Sequence, residues 1–225
     1  MNFLELCQRV RQESGGVSGT GPAAVTGQSG QLKKIVTWTN AAWRELQLMH
    51  DDWLWKRKDF TLTLSASDND YSAADASVTD LGEWDLETFR IYLTSAGVSD
   101  ETFLSRMEYD IWRNVWAIGS QTPSRPNVVT QKPNLHLGFG PVPDATYTVT
   151  GQYLQATQSM TANGDEPTGL PEEFHEIIVY LALRKYAADE GAPEVWANAK
   201  SEYRRMMNAL ERKQLPKWRT GPAAA

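Results

Sequence analysis

The hydrophobic period of this chain switches between helical and alternating along its length, and that rules out any fold built from one class of element. Apolar residues recur at helical spacing near both ends and alternate in the middle. Phe3, Leu6, Cys7 and Val10 mark an amphipathic helix over 2–13. Residues 31–50 carry a stronger signal, with Leu32, Ile35, Val36, Trp43 and Leu46 on one stripe. Trp38, Ala41, Ala42, Leu48 and Met49 widen that stripe, which predicts a helix covered on more than one side. From residue 57 the period falls to two: Phe60, Leu62 and Leu64 alternate with Thr61 and Thr63. A polar, turn-rich stretch fills 65–80, and Phe89, Ile91 and Leu93 alternate again. Residues 101–116 favour a helix with Phe103, Met107, Ile111 and Val115 as its stripe. NVVTQ, LHLGF and ATYTVTGQYL then read as strands, and GPVPD between the last two predicts a hairpin. Tyr147, Val149, Gly151 and Tyr153 share one face of the last strand.

The helical period returns after residue 170. Phe174, Ile177, Ile178 and Leu181 form a stripe over 171–190, with Pro171, Glu172 and Glu173 at its start and Gly191 at its close. Pro193 opens a second helix carrying Val195, Ala199, Tyr203, Met206, Met207 and Leu210. The fold class these signals define is α+β, mainly helical. Both chain ends contribute to an antiparallel helical bundle, and an antiparallel β-rich subdomain is inserted between them. The expected divisions are 1–56 (N-terminal helices with a Gly-rich loop at 14–30), 57–155 (the β-rich insertion with one helix), 156–213 (a C-terminal helical hairpin) and 214–225 (an extended tail).

Composition narrows the class further. The chain has 225 residues, 41% of them apolar, enough for a proper core. No apolar run approaches the roughly 20 residues of a membrane span. The amphipathic start is unlike a secretory signal, and one cysteine cannot form an internal disulfide, which fits a reducing compartment.

No catalytic, cofactor or metal signature stands out. The loop 14–30 lacks both the dinucleotide and the P-loop patterns. His50, His136 and His175 lie on different elements, without a second ligand at metal spacing, and His50 or His175 caps or packs a helix. DNDYS at 68–72 lacks the Gly and the closing Glu of a calcium loop and reads as a turn. The pairs Asp51–Asp52, Asp165–Glu166 and Glu172–Glu173 are sequence neighbours, and neighbours on a helix do not face each other. Cys7 sits on an apolar stripe and reads as a small core residue.

Charge is the more informative feature. The chain holds 22 basic and 28 acidic side chains, net −6. Between Lys200 and Arg219 lie Lys200, Arg204, Arg205, Arg212, Lys213, Lys217 and Arg219, opposed only by Glu202 and Glu211. That segment is +5 and the rest of the chain −11. Three readings stay open: a solvated face suited to the negative end of a helix dipole, a docking tail for an acidic partner, and a nucleic-acid contact. Trp218, in a Pro- and Gly-broken tail with no core to join, favours docking. Among the other tryptophans, Trp38 and Trp43 read as core. Trp53 and Trp55 sit at the helix–sheet junction, where they wedge the two parts. Trp84, Trp112, Trp116 and Trp196 are either core or intersubunit contacts.

The stretch MNFLELCQRVRQESG with SGTGP and VTGQSGQLKKIVTWTNAAWRELQLMHDDWLWKR resembles the start of head-to-tail adaptor proteins of tailed bacteriophages, also called head completion or connector proteins. LHLGFGPVPDATYTVTGQY is similar to their strand–Pro-turn–strand segment. LPEEFHEIIVYLALRKYAADEGA, with a helix ending YRRMMNALERKQLP, resembles their C-terminal helices. The resemblance covers nearly the whole chain and is strongest over 31–57 and 171–216. It implies a non-enzymatic virion protein, assembled in the host cytoplasm and resident at the neck. It implies a ring, usually of twelve copies, beneath the portal protein, extending the DNA channel and presenting a surface to tail, nozzle or tail-fibre proteins. DNA passes through such a ring without specific binding, and neither a membrane nor a cofactor is involved. Portal docking would fall to 200–225, with Arg204, Arg205, Arg212, Lys213, Lys217, Trp218 and Arg219 as the contacts. The competing readings are another neck or tail component, such as a tail terminator or fibre-attachment subunit, and a DNA-binding protein using the basic C-terminal helix.

Overall fold

The computed structural model describes residues 1–15 and 21–216. The fold is mixed helix and sheet, and the chain divides into two compact units. One comprises Met1–Lys56 together with the described residues from Thr157 onward; the other is Arg57–Ala156.

The first unit is helical. Its first helix, α1 (Phe3–Glu13), starts at a reciprocal cap: the Asn2 side chain accepts from the Glu5 N–H at 2.9 Å, and Glu5 Oε2 accepts from the Asn2 N–H at 2.9 Å. The second, α2 (Gly30–Leu48), buries Ile35, Ala42, Trp43 and Leu46. Leu48, expected on the covered side, is 64% exposed. Next comes α4 (Glu176–Glu190), entered through a 3-10 turn at Glu172–Phe174 and closed by Gly191 at φ 64°. The last is α5 (Pro193–Gln214), which buries Ala199, Met206, Met207 and Leu210.

The sequence stripe on α4 is too narrow. Val179, Ala182, Leu183, Tyr186 and Ala187 are buried as well as Ile177, Ile178 and Leu181. The cause is position: α4 touches α1, α2 and α5, so little of its circumference faces water. Trp43, Trp53 and Trp55 all join this unit's core, Trp43 stacking on Trp55 at 5.4 Å. The segment after Thr157 has no regular structure before the turn at Glu172, yet it is strapped to α2. Gln47 donates to the Gln158 carbonyl at 2.9 Å and accepts from the Gln158 N–H at 2.8 Å; Asn40 accepts from the Met160 N–H at 3.0 Å. Those amides satisfy backbone groups that lack a ladder.

The second unit is two four-stranded sheets around one core. Sheet A has the order β1 (Arg57–Leu64), β8 (Tyr147–Gln155), β3 (Leu81–Leu93), β4 (Thr102–Phe103). Sheet B has the order β2 (Asp70–Tyr71), β7 (Leu137–Gly140), β6 (Val128–Gln131), β5 (Ser105–Arg106). Alternation behaves as expected on β1 and β8: Phe60, Leu62, Leu64, Tyr147, Val149 and Tyr153 point into the core. Gly151 faces inward with them, because a Cβ there would lie 2.6 Å from the Phe89 ring.

Three expectations for this unit fail. The LHLGF and ATYTVTGQYL segments are not a hairpin: β7 pairs with β6 in sheet B, and β8 pairs with β1 and β3 in sheet A. The GPVPD segment carries the chain from one layer to the other, and its two prolines have no N–H to give a ladder. The subdomain is not wholly antiparallel, since β5 runs parallel to β6. The helix expected over 101–116 is confined to α3 (Tyr109–Trp116); Thr102–Phe103 and Ser105–Arg106 are short strands. Within α3 the buried side is Trp112, and the expected inner residues Ile111 and Val115 are exposed, as is Phe103 on β4.

Candidate functional site

The basic segment sits on α5, and helix geometry sorts its members. Lys200, Arg204 and Arg212 recur at multiples of four, so they fall along one exposed face about 6 Å apart per step of four residues. None of the three makes an ion pair or hydrogen bond to another described residue. A shallow groove on this face is lined by Ala197, Lys200, Ser201, Arg204, Arg205 and Asn208, which brings hydroxyl and amide groups beside the cations.

The other two described cations are engaged. Arg205 donates from Nε and Nη2 to Glu202 Oε2 at 3.0 and 2.8 Å, and that carboxylate pushes the guanidinium pKa up. Lys213 Nζ lies 2.7 Å from Glu173 Oε1 and 5.5 Å from the Phe174 ring centroid. Arg212 and Lys213 also occupy the last turn of α5, where the helix dipole favours positive charge. Lys217, Trp218 and Arg219 lie outside the described residues. Of the predicted set, Arg204 and Arg212 are therefore brought onto one open face with Lys200, while Arg205 and Lys213 are held by their own unit.

Negative charge is distributed unevenly. The unit Arg57–Ala156 contains seven basic and thirteen acidic residues, so it carries all of the net −6. Some of these acids are structural. Asp80 accepts from Tyr153 at 2.8 Å and from the Gln155 amide. Asp100 takes both oxygens to Arg125 Nη1 at 2.9 and 2.8 Å and accepts the Leu93 N–H at 2.9 Å; that N–H first, then Arg125, holds its pKa low.

The histidines and acidic pairs have local roles. His175 is buried, with Nδ1 2.9 Å from the Met1 amine and Nε2 3.0 Å from the Leu170 carbonyl. His50 reaches Glu211 at 3.2 Å and packs edge-on to Trp53; His136 reaches Asp70 at 3.0 Å. Asp165 accepts the N–H groups of Thr161 and Ala162 at 2.6 and 2.8 Å, closing a turn. Glu173 is the Lys213 partner already described. Among the described residues no three His, Cys, Asp or Glu side chains group as metal ligands, and no described helix is long and apolar enough to cross a membrane.

Sequence reading missed one surface. Ile111 and Val115, with Ile118 just beyond α3, form an exposed apolar row. The signal was the Trp112–Trp116 pair at i, i+4, set against the alternating glycines of LGFG. A Cβ on Gly138 would lie 2.9 Å from Trp112, and one on Gly140 2.6 Å from Trp116. Those bare positions seat the indoles and fix which side of α3 faces out.

The chain belongs to the SU10 adaptor protein family, whose profile matches residues 1–225, the whole of its length. This is a family of phage adaptors, in keeping with the resemblance to head-to-tail adaptors, and it is not an enzyme family. A search among curated proteins finds no match.

Proposed function

We propose that this protein is a ring-forming head-to-tail adaptor, twelve copies docking beneath the portal protein, extending the DNA channel and offering the attachment surface for tail, nozzle or fibre proteins. The ends of the chain form an antiparallel helical bundle that meets the portal, and the residues that follow Gln214, the last of α5, act as the docking tail. The observation that carries this reading is the open basic face of α5, formed by Lys200, Arg204 and Arg212; Lys217, Trp218 and Arg219 follow it in the sequence. Cations left unpaired within their own unit are free to meet an acidic partner. Arg205 and Lys213, held by Glu202 and Glu173, contribute by supporting the helix rather than by direct pairing. Family membership supports the same role and a place at the virion neck. The acidic excess of the β-rich unit suits a conduit, since like charge keeps DNA from adhering to a wall it must slide past.

The test is the native mass of the protein with and without its cognate portal, repeated for a chain ending at Leu215 and for the Arg204→Glu, Arg212→Glu double variant. One adaptor copy gained per portal subunit, lost in both variants, is the expected result. An intact protein that ignores the portal overturns the docking assignment. Binding to duplex DNA with a steep salt dependence, in place of portal binding, would move the basic face to nucleic acid.

A further inference from the structure

Two apolar helix faces on this chain are open, and each carries an unpaired charge of opposite sign. On α3, Ile111, Val115 and Ile118 are 55%, 47% and 61% exposed. Trp112 and Trp116 pin the other side of the helix to Gly138 and Gly140, so rotation cannot bury this row without undoing both contacts. Asp110 borders it, exposed and with no hydrogen bond or ion pair to a described residue. On α2, a shallow groove is lined by Ala41, Arg44, Glu45, Leu48 and Met49. Ala41, Arg44 and Leu48 share its face at i, i+3 and i+7. Glu45 is committed to Lys185 at 2.6 Å, whereas Arg44 is exposed and has no partner among the described residues.

We infer that in the assembled state α3 of one copy seats Ile111, Val115 and Ile118 in the α2 groove of the next copy, with Asp110 pairing to Arg44. The inference rests on the ring reading above and names the surfaces that would build it. Charge complementarity selects a second copy as the occupant, because one chain supplies both an anion-edged row and a cation-edged groove. A contact of α3 with α3 would set Asp110 against the same acid and leave the Leu48 groove open. Two different patches joined head to tail form a heterologous interface, and such interfaces generate rings when the rotation closes. Apolar rows rimmed by charge are the usual anatomy of such contacts.

The experiment uses the full chain carrying Leu48→Cys and Val115→Cys, assembled on its cognate portal and treated with a short bis-maleimide. Cys7 is buried and stays out of the reaction. The expected product is a ladder of covalent multiples under denaturing conditions. Either cysteine alone gives monomer, and a mixture of the two single variants stops at dimer. A portal complex that assembles yet yields only monomer overturns the inference, and means that something other than a second copy covers these faces. If the unsubstituted chain forms no ring on the portal, the ring reading fails first and takes this inference with it. A charge swap gives a second readout. Arg44→Glu and Asp110→Arg should each weaken assembly about tenfold or more, and the combined variant should recover to within about threefold. Defects that simply add in the combined variant overturn the pairing.

Discussion

The Trp116 indole occupies the space that a side chain at Gly140 would need: a Cβ built there would lie 2.6 Å from both Cγ and Cδ1 of the ring. Trp112 stands in the same relation to Gly138, one turn earlier on α3 and two residues earlier on β7. Two turns of a short helix are thus docked on two glycines of one strand face. The prediction is that Gly140→Ala costs about 1–3 kcal/mol, the usual penalty for overpacking. Urea unfolding of the full chain measures it. In a Trp116→Ala background the same change should cost much less, because the atom it strikes is gone; equal costs in both backgrounds would show that the clash is not with the indole.

His175 ties stability to pH. Burial disfavours its charged form and lowers its pKa below the usual 6.5, with the Leu170 carbonyl acting in the opposite direction. The folded state therefore binds fewer protons than the unfolded state between the lowered and the ordinary value. Stability is full above about pH 6.5 and falls as pH drops through that window. Denaturation midpoints at pH 7.5 and 5.5 should differ for the native sequence and differ less for His175→Gln. A native sequence equally stable at both values would refute the assignment.

Cys7 should be unreactive while the protein is folded. It is fully buried on α1, and burial pushes its thiol up to about 11, with a weaker opposing effect from the Thr39 hydroxyl. Thiolate is the reactive form, so little of it exists at neutral pH. A disulfide-exchange reagent at pH 8 should find no thiol in the native protein and one per chain in denaturant. Rapid labelling of the native protein would mean that α1 detaches from its core.

The cations of α5 should separate into two groups. Arg204→Gln and Arg212→Gln should leave stability within about ±0.5 kcal/mol, as surface changes do away from special contacts. The same substitutions should weaken binding to an acidic partner. Lys213→Gln removes the Glu173 contact and should lower thermal stability slightly, with less effect on binding. The inverse pattern, with Lys213 dominant in binding, would displace the contact from the Lys200–Arg212 line to the helix end.

Much of this arrangement was legible in the sequence because it depends on local periodicity. The stripe of Phe3, Leu6, Cys7 and Val10, the α5 series ending at Leu210, and the alternation on β1 and β8 each lie within one element and have one buried side. The basic run was legible as composition. Its division into a free line at Lys200, Arg204 and Arg212 and an engaged pair at Arg205 and Lys213 depended partly on Glu173, forty residues away from Lys213.

What the sequence determined by itself was the period of each segment, hence a helical part from both ends and a β-rich part between. Tertiary structure alone decided which face of an element counts as inside. Leu48 and Ile111 satisfy the local pattern of a core residue yet stand exposed, while Val179 and Ala182 on α4 lie off the first stripe and are buried. It also decided that β7 and β8, joined by only six residues, belong to different sheets. The reason is physical. Periodicity records that a surface is apolar, but burial depends on how many neighbours surround an element, and strand pairing depends on partners such as β1 and β6 that lie far away in the chain.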